Sequence, residues 1–305
     1  MGTLQVTPVS PILGAEVRGV NLADGVDDAT FAEIHQAFLD HGVLFFKDQP
    51  EPMSEAVQMA FGKRFGPLHI HPAAPGSGDD NAIFVIHAHR DSKVANGNGW
   101  HSDVSCDDEP PMATMLQLRL LPEGGGGDTM FASMEAAYAV LPEADRQFLK
   151  GLSARHTSEH IFRGRYSDRG VDDSDRAEYP QTVHPVVRTH PETGRPSIYV
   201  NRAFTTSIVG MEDEQGHAFL KRLLRHIERP EFQIRFRWEQ YDVALWDNRC
   251  LQHYALWDYW PSERMGHRVT VLGDRPSFDP SAPDAGESSI RIKLESLVPA
   301  VAAAG

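Results

Sequence analysis

The sequence predicts a mainly β protein with flanking helices, an antiparallel sandwich or jelly roll. β-prone pieces recur from residue 4 to about residue 272, and several alternate apolar with polar side chains. Amphipathic helical stretches are few, and no sustained strand–helix–strand alternation suggests a parallel sheet. With 305 residues, 41% of them hydrophobic, the chain can fill one large core. Neither a repeat nor a linker divides it, so a single domain over residues 1–275 is expected, followed by a peripheral or partly disordered tail over 276–305.

The opening stretch, Leu4 to Leu22, reads as short strands punctuated by Pro8, Pro11, Gly14 and Gly19. A helix is expected from Asp28, with Phe31, Ile34 and Phe38 on one stripe and Gly42 beyond its end. Val43–Phe46 reads as a buried strand, and a second helix follows Ser54 with Gly66 as its stop. A long connection, residues 67–99, carries His69, His71, His87, His89 and a strand over Ile83–Ile86, and connections of this length often serve as lids or binding loops. Leu116, Leu118 and Leu120 mark a half-buried strand, and Gly124–Gly127 a flexible turn without the lysine and spacing of a phosphate loop. Helices are expected over Met134–Val140 and Pro142–Leu152, then a polar, exposed insertion over Gly164–Tyr179. Strands return at Val183–Thr189, Ile198–Val200, Phe232–Trp238, Val243–Trp246 and Val269–Leu272, with one helix striped by Phe219, Leu220, Leu223, Leu224 and Ile227 and ended by Pro230. Ile290–Leu294 could add a last strand.

The net charge of −14 argues against nucleic acid and anionic membranes and leaves a small molecule as the expected partner. No run approaches the roughly 18 apolar residues of a membrane span, and the N-terminus lacks a signal-peptide pattern, so a cytoplasmic location is expected. Cys106 and Cys250 make no disulfide framework or zinc motif and read as buried fillers.

Trp100-His101-Ser102-Asp103 carries the chemistry. On an extended segment, residues two apart share a face, so His101 and Asp103 can hold adjacent positions on one metal ion. One further imidazole would complete a two-histidine, one-carboxylate face suited to non-haem Fe(II). Trp246-Asp247-Asn248 leads to such an imidazole, His253, and Arg264 and Arg268 stand eleven and fifteen residues beyond it.

Together with Gly14–Val17, Gly19–Leu22, Gly126-Gly127-Asp128-Thr129, His184–Pro191, Asn201, Phe204-Thr205-Thr206 and His267-Arg268, these motifs resemble the taurine dioxygenase family, which also includes 2,4-D and alkylsulfatase dioxygenases. The likeness covers about residues 4 to 275. It implies a double-stranded β-helix of the jelly-roll, cupin-like kind. It also implies an Fe(II)- and 2-oxoglutarate-dependent dioxygenase that uses O₂, hydroxylates a C–H bond and releases succinate and CO₂.

Carried over residue by residue, His101, Asp103 and His253 are the iron ligands, and Thr129 and Arg264 hold the distal carboxylate of 2-oxoglutarate. Arg268 and His71 bind the anionic group of the substrate, a sulfonate, sulfate ester or carboxylate, and Phe162 and Phe204 line its carbon skeleton. A solvated imidazole competes with the role of His71, and core filling with those of the two phenylalanines. A guanidinium suits carboxylate or sulfonate because its fork is bidentate and always charged. Where the taurine enzyme has tyrosine, asparagine and serine, this chain has Ala74, Gly97 and Ile161, which implies a larger, more apolar substrate. Trp257 and Trp260 are expected to pack against the helix layer. The family also implies a homodimer or homotetramer. A zinc hydrolase on the same three ligands and a non-catalytic β-barrel binding protein are the alternatives, although no His-Glu-x-x-His element is present and a hydrolase would leave both arginines idle.

Overall fold

The computed structural model describes residues 4–71, 82–93, 95–163 and 179–284. Two short strands, Gln5–Pro8 (β1) and Ala15–Arg18 (β2), pair antiparallel and lead to Asp28–His41 (α1). Asp27 caps α1 by accepting from the Thr30 amide, and Gly42, at φ 71°, ends it by donating to the Phe38 carbonyl. After the fully buried Val43–Phe46 (β3), Ser54 caps Glu55–Lys63 (α2), which stops short of Gly66 because residues 64–66 already turn. Leu68–His69 (β4) and Phe84–Ala88 (β5) are the strands of the long connection.

Ala113–Leu120 (β6) and Thr129–Ser133 (β7) precede the helices Met134–Ala139 (α3) and Glu143–Lys150 (α4). Ser153–Thr157 (β8), the one-turn Glu159–Phe162 (α5), Gln181–Pro185 (β9), Val187–Thr189 (β10), Pro196–Ile198 (β11) and Thr205–Ile208 (β12) follow. The chain then runs through Asp213–Ile227 (α6), Gln233–Phe236 (β13), Val243–Asp247 (β14), Leu251–Ala255 (β15) and Arg264–Val271 (β16).

An eight-stranded sheet takes the order β1-β2-β3-β14-β6-β16-β4, with β5 also on β16, and β13-β7-β15 form a smaller sheet. Among the described residues only the β2–β3 pairing is parallel. One core cluster joins the two sheets: Val43, Phe45, Leu116, Leu118, Ala244 and Trp246 from the large one pack with Phe131, Phe236 and Leu251 from the small one. Their sequence neighbours Leu44, Phe46, Met115, Val243 and Leu245 point the other way, onto Ile34, Phe38 and Phe61 of α1 and α2. β3 and β14 are therefore buried on both faces and read as continuous apolar runs. A third cluster fills the space around α3 and α6.

Several expectations are corrected. β6, expected to be half-buried, is buried on both faces as far as Leu118: on the face opposite Leu116 and Leu118, Met115 packs in the cluster with Phe61 of α2, and Gln117 Oε1 accepts from the Met53 amide just ahead of α2 at 2.8 Å. β7, β8, β12 and β15 fall in stretches with no strand expectation, and β16 starts five residues early, at Arg264. Trp100–Asp103 is not a strand: His101 forms a single bridge with His253, and a turn begins at Asp103. Residues 276–284, assigned to the tail, are fastened to the body. The Ser277 carbonyl accepts from the Thr189 amide, Phe278 packs on the α3–α6 core, and Asp284 lies 3.1 Å from Lys150. Ala74, the polar stretch 164–178 and the strand expected over Ile290–Leu294 lie outside the described residues. No helix among the described residues is long and apolar enough to cross a membrane.

Candidate metal centre

The period-2 alternation of strands decides which side chains meet in the space between the sheets. On β6, Thr114 shares the inner face of Leu116 and Leu118, and on β7, Thr129 shares that of Phe131. On β15, His253 shares the face of Leu251, and on β16 Arg264 and Arg268, four apart, point the same way. The bridge between His101 and His253, with amide-to-carbonyl bonds of 3.1 and 2.8 Å, carries the loop-borne ligand to the strand-borne one.

Asp103 Oδ1 lies 3.7 Å from His101 Nε2 and 4.0 Å from His253 Nε2, too far to hydrogen-bond and near enough to share one ion. His101 Nδ1 lies 2.8 Å from the Gly99 carbonyl, which can only accept; Nδ1 therefore carries the proton and Nε2 offers a lone pair. His253 is held between Trp246 and Phe131, at ring centroids of 4.7 and 6.2 Å. Burial and the neighbouring His101 hold His253 well below its ordinary pKa, against the pull of Asp103, so it stays a neutral ligand. Burial alone would raise the Asp103 carboxyl, but Arg268, the two imidazoles and the Thr114 hydroxyl outweigh it and hold the group well below the usual carboxylate range. Two neutral imidazoles and one ionised carboxylate form the donor set that a divalent iron takes.

Two buried guanidiniums stand on the same face of β16, and one of them, Arg268, reaches this set. Arg264 Nε donates to the Gly127 carbonyl at 3.1 Å, and its Nη2 has no hydrogen-bond partner among the described residues. Trp238 lies under the Arg264 guanidinium at 5.8 Å and donates through Nε1 to Thr129 Oγ1 at 3.0 Å, so Arg264 and Thr129 meet at one indole. Burial lowers the Arg264 pKa, and among the described residues no carboxylate forms an ion pair with it. A buried cation without an anion is costly, so the site fits a carboxylate ligand. Gly126 and Gly127 are not a loose turn. A Cβ on Gly126 would stand 2.9 Å from Asp258 Oδ1, and one on Gly127 2.8 Å from Arg264 Cδ, at φ values of +88° and +72°.

Arg268 Nη1 donates to Asp103 Oδ1 at 3.1 Å, Phe84 lies under its guanidinium at 5.0 Å, and Nε and Nη2 are buried without partners among the described residues. A cavity of ≈ 100 Å³ joins Arg268, His101 and Asp103 to His71, Phe162 and Phe204. His71 stacks on Phe84 at 4.5 Å and meets the edge of Phe162 at 5.8 Å. Of the residues singled out from the sequence, His71, His101, Asp103, Phe162, Phe204 and Arg268 line the cavity, His253 bridges to His101, and Thr129 and Arg264 meet at Trp238.

Sequence reasoning missed Phe84, Val104, Asn96 and Asn98 in the cavity wall and gave no role to Thr114, Trp238 or Asn248. Asn96 and Asn98 also correct the expected loss of polar lining at Gly97, since amides stand on either side of it. A Cβ on Gly97 would come within 3.2 Å of His101 Cε1. Trp260 does not pack on the helix layer: it is 61% exposed and donates to the Arg90 carbonyl at 3.1 Å. Cys106 and Cys250 are buried, as expected, and form no disulfide among the described residues.

A two-histidine, one-carboxylate face opening into a cavity defines the class of mononuclear non-haem iron enzymes. The chain belongs to the family described as taurine catabolism dioxygenase TauD, TfdA family, whose model matches residues 5–270. An alkylsulfatase from Acinetobacter baylyi is 34% identical over 277 residues, covering 89% of this chain and 86% of that protein. An alpha-ketoglutarate-dependent sulfate ester dioxygenase from Pseudomonas putida is 34% identical over 279 residues, covering 90% of this chain and 91% of its own. A crystal structure of a taurine dioxygenase from Burkholderia xenovorans superposes with a TM-score of 0.76 at 33% identity, covering 92% of each chain. The chain is thus an Fe(II)- and 2-oxoglutarate-dependent dioxygenase, and the zinc hydrolase and binding-protein alternatives are set aside.

Proposed function

We propose that this dioxygenase hydroxylates the carbon next to the anionic group of a sulfate ester or sulfonate. The observation that carries the reading is the pair of buried arginines on one face of β16, each with N–H groups unpartnered among the described residues: Arg268 reaches Asp103, and Arg264, four residues away, lies with Thr129 at Trp238. His101, Asp103 and His253 would hold Fe(II), and when bound with 2-oxoglutarate the metal supplies the oxidising power to place one oxygen atom of O₂ on a C–H bond. Arg264 and Thr129 take the distal carboxylate of 2-oxoglutarate. Arg268, with His71, takes the substrate's anion and fixes which carbon faces the metal, while Phe162, Phe204 and Phe84 exclude water around its chain. Oxidation of 2-oxoglutarate to succinate and CO₂ accounts for one oxygen atom, and the substrate takes the other as a hydroxyl. If that carbon carries a sulfate ester, the hydroxyl loses its proton, the C–O bond to sulfate breaks, and an aldehyde and sulfate form.

The two similar proteins named for alkyl sulfates and sulfate esters support this substrate class over aryloxyalkanoates. We further read the two sheets as a double-stranded β-helix in a single domain, since the core between them draws on residues from Leu13 to Leu251. The test is succinate formation with medium-chain alkyl sulfates, alkyl sulfonates, taurine and phenoxypropionate. Alkyl sulfates are expected to give the largest stimulation and to release sulfate in equal amount to succinate. Stimulation by phenoxypropionate alone would overturn the substrate class.

A further inference from the structure

Asp103 is held by more than its place in the chain. Its Oδ2 accepts from Thr114 Oγ1 at 2.7 Å, and that hydroxyl in turn accepts from Asn248 Nδ2 at 2.8 Å. The same amide's Oδ1 accepts from Trp246 Nε1 at 3.0 Å and from the backbone N–H of Asp103 at 3.4 Å. Ser102 Oγ closes the ring by donating to the Asn248 carbonyl at 2.7 Å. Trp246 fixes which way the amide faces, because an indole N–H can only donate; Nδ2 must then point at Thr114, and the Thr114 proton must point at Asp103. Every member is buried: Thr114 0% exposed, Asn248 1%, Trp246 2% and Asp103 3%.

We propose that Asn248 and Thr114 form a directional clamp that keeps Asp103 Oδ2 occupied, so that the carboxylate offers the metal a single oxygen, Oδ1. The inference rests on the reading of Asp103 as a metal ligand. Oδ1 is the oxygen that faces both imidazole Nε2 atoms, at 3.7 and 4.0 Å. A carboxylate free to rotate could offer both oxygens and take a coordination position that a 2-oxo acid or O₂ needs. Thr114 and Asn248 are positioning residues: they act through Asp103, and a hydrogen-bond partner behind a ligand is worth about 10–100-fold in metal affinity.

The experiment compares Thr114→Val, Thr114→Ser, Asn248→Asp and the double variant Thr114→Val/Asn248→Asp with the parent protein. Co(II) is titrated alone, and Fe(II) is titrated anaerobically with 2-oxoglutarate while the visible charge-transfer band is read. Thr114→Val keeps the shape and removes the proton. Asn248→Asp turns the amide donor into an acceptor and draws the Thr114 proton away from Asp103. Each is expected to weaken metal binding by about 10–100-fold and to change the band, with Thr114→Ser within about threefold of the parent. The double variant should lose little more than either single one, because both break the same relay. Parent-like metal binding in Thr114→Val, or additive losses in the double variant, overturns the clamp. If Thr114→Val shows no cooperative melting, Asn248→Asp decides by the same threshold. His101→Ala separates the two levels: if it binds metal like the parent, the metal-centre reading fails, whereas if it loses metal while Thr114→Val does not, only the clamp fails.

Discussion

The two halves of the site are built differently. His253, Thr114, Thr129, Arg264 and Arg268 stand on strands β6, β7, β15 and β16, and their positions follow from register. His71, Asn96, Asn98, Phe162 and Phe204 stand on or beside connections between elements. The strand-borne half carries fixed charge and one tightly specified hydrogen-bond chain, whereas the loop-borne half is mostly aromatic and amide. Fe(II) and 2-oxoglutarate make the same demands whatever the substrate, and a sheet meets them once. The substrate's carbon skeleton is the variable part, and connections can change without disturbing a ladder.

The largest effects should come from the junction of the halves, at the metal ligands. Asp103→Ala and His101→Ala are expected to abolish the charge-transfer band and succinate formation, and a variant that kept both would remove the metal from this position. Arg264→Met comes next. Losing one side of a buried charge pair costs about 3 kcal/mol, so the 2-oxoglutarate requirement should rise roughly a hundredfold, with a much smaller change for the organic substrate. Arg268→Met should do the reverse, raising KM for the sulfate ester by about ten- to a hundredfold. Because Arg268 also bonds Asp103 Oδ1, some loss of metal affinity should accompany it, which Arg264→Met should not show. If both variants acted on 2-oxoglutarate alone, the division of the site into halves would be wrong.

The sequence made the loop-borne ligands visible before the strand-borne ones. His101 and Asp103 were legible from their spacing, although the extended segment that spacing suggested is a bridge followed by a turn. His253, Thr129 and Arg264 were recognisable only through the motifs around them, since β7, β15 and the first half of β16 mix polar residues into buried positions. Hydrophobic alternation fails where a strand turns its inner face to a polar site rather than to a core. Thr114 carried no signal at all, because a threonine in a buried strand looks like any β-former until Asp103 and Asn248 are brought to it. α1, α2, α4 and α6 were legible because their stripes face apolar clusters and their stops and caps are local.

Acid stability probes the support behind the loop-borne ligand. His156, on β8, bonds Ser105 Oγ at 3.0 Å in the turn that begins at Asp103, and it is fully buried. Burial, aided by the nearby His184, pushes its pKa down to about 3 from an ordinary 6.5. Between those values the unfolded chain binds a proton that the folded one refuses, so stability falls as pH drops below 6.5. His156 should contribute about 2 kcal/mol of this loss between pH 6.5 and about pH 5, measured by denaturant unfolding. His156→Gln should flatten that slope; an unchanged slope would place the acid sensitivity elsewhere, for instance at the similarly buried His184.

The smallest predicted effect separates the halves most cleanly. Phe204 presents its ring to the cavity, but its backbone is fastened independently: its N–H donates to Asn201 Oδ1 at 2.9 Å, and its carbonyl accepts from the Thr157 N–H at 2.9 Å. Phe204→Ala therefore removes apolar wall without releasing the segment. A substrate chain that packs on the ring should lose about 1 kcal/mol, a fivefold fall in kcat/KM for medium-chain alkyl sulfates, while the shortest chains, which do not reach the ring, change little. The 2-oxoglutarate requirement should stay within about twofold, because Arg264 and Thr129 sit at Trp238 and do not line the cavity that Phe204 lines. A matching shift in 2-oxoglutarate would show that the loops help to shape the cosubstrate pocket, and the sheet would no longer suffice to explain it.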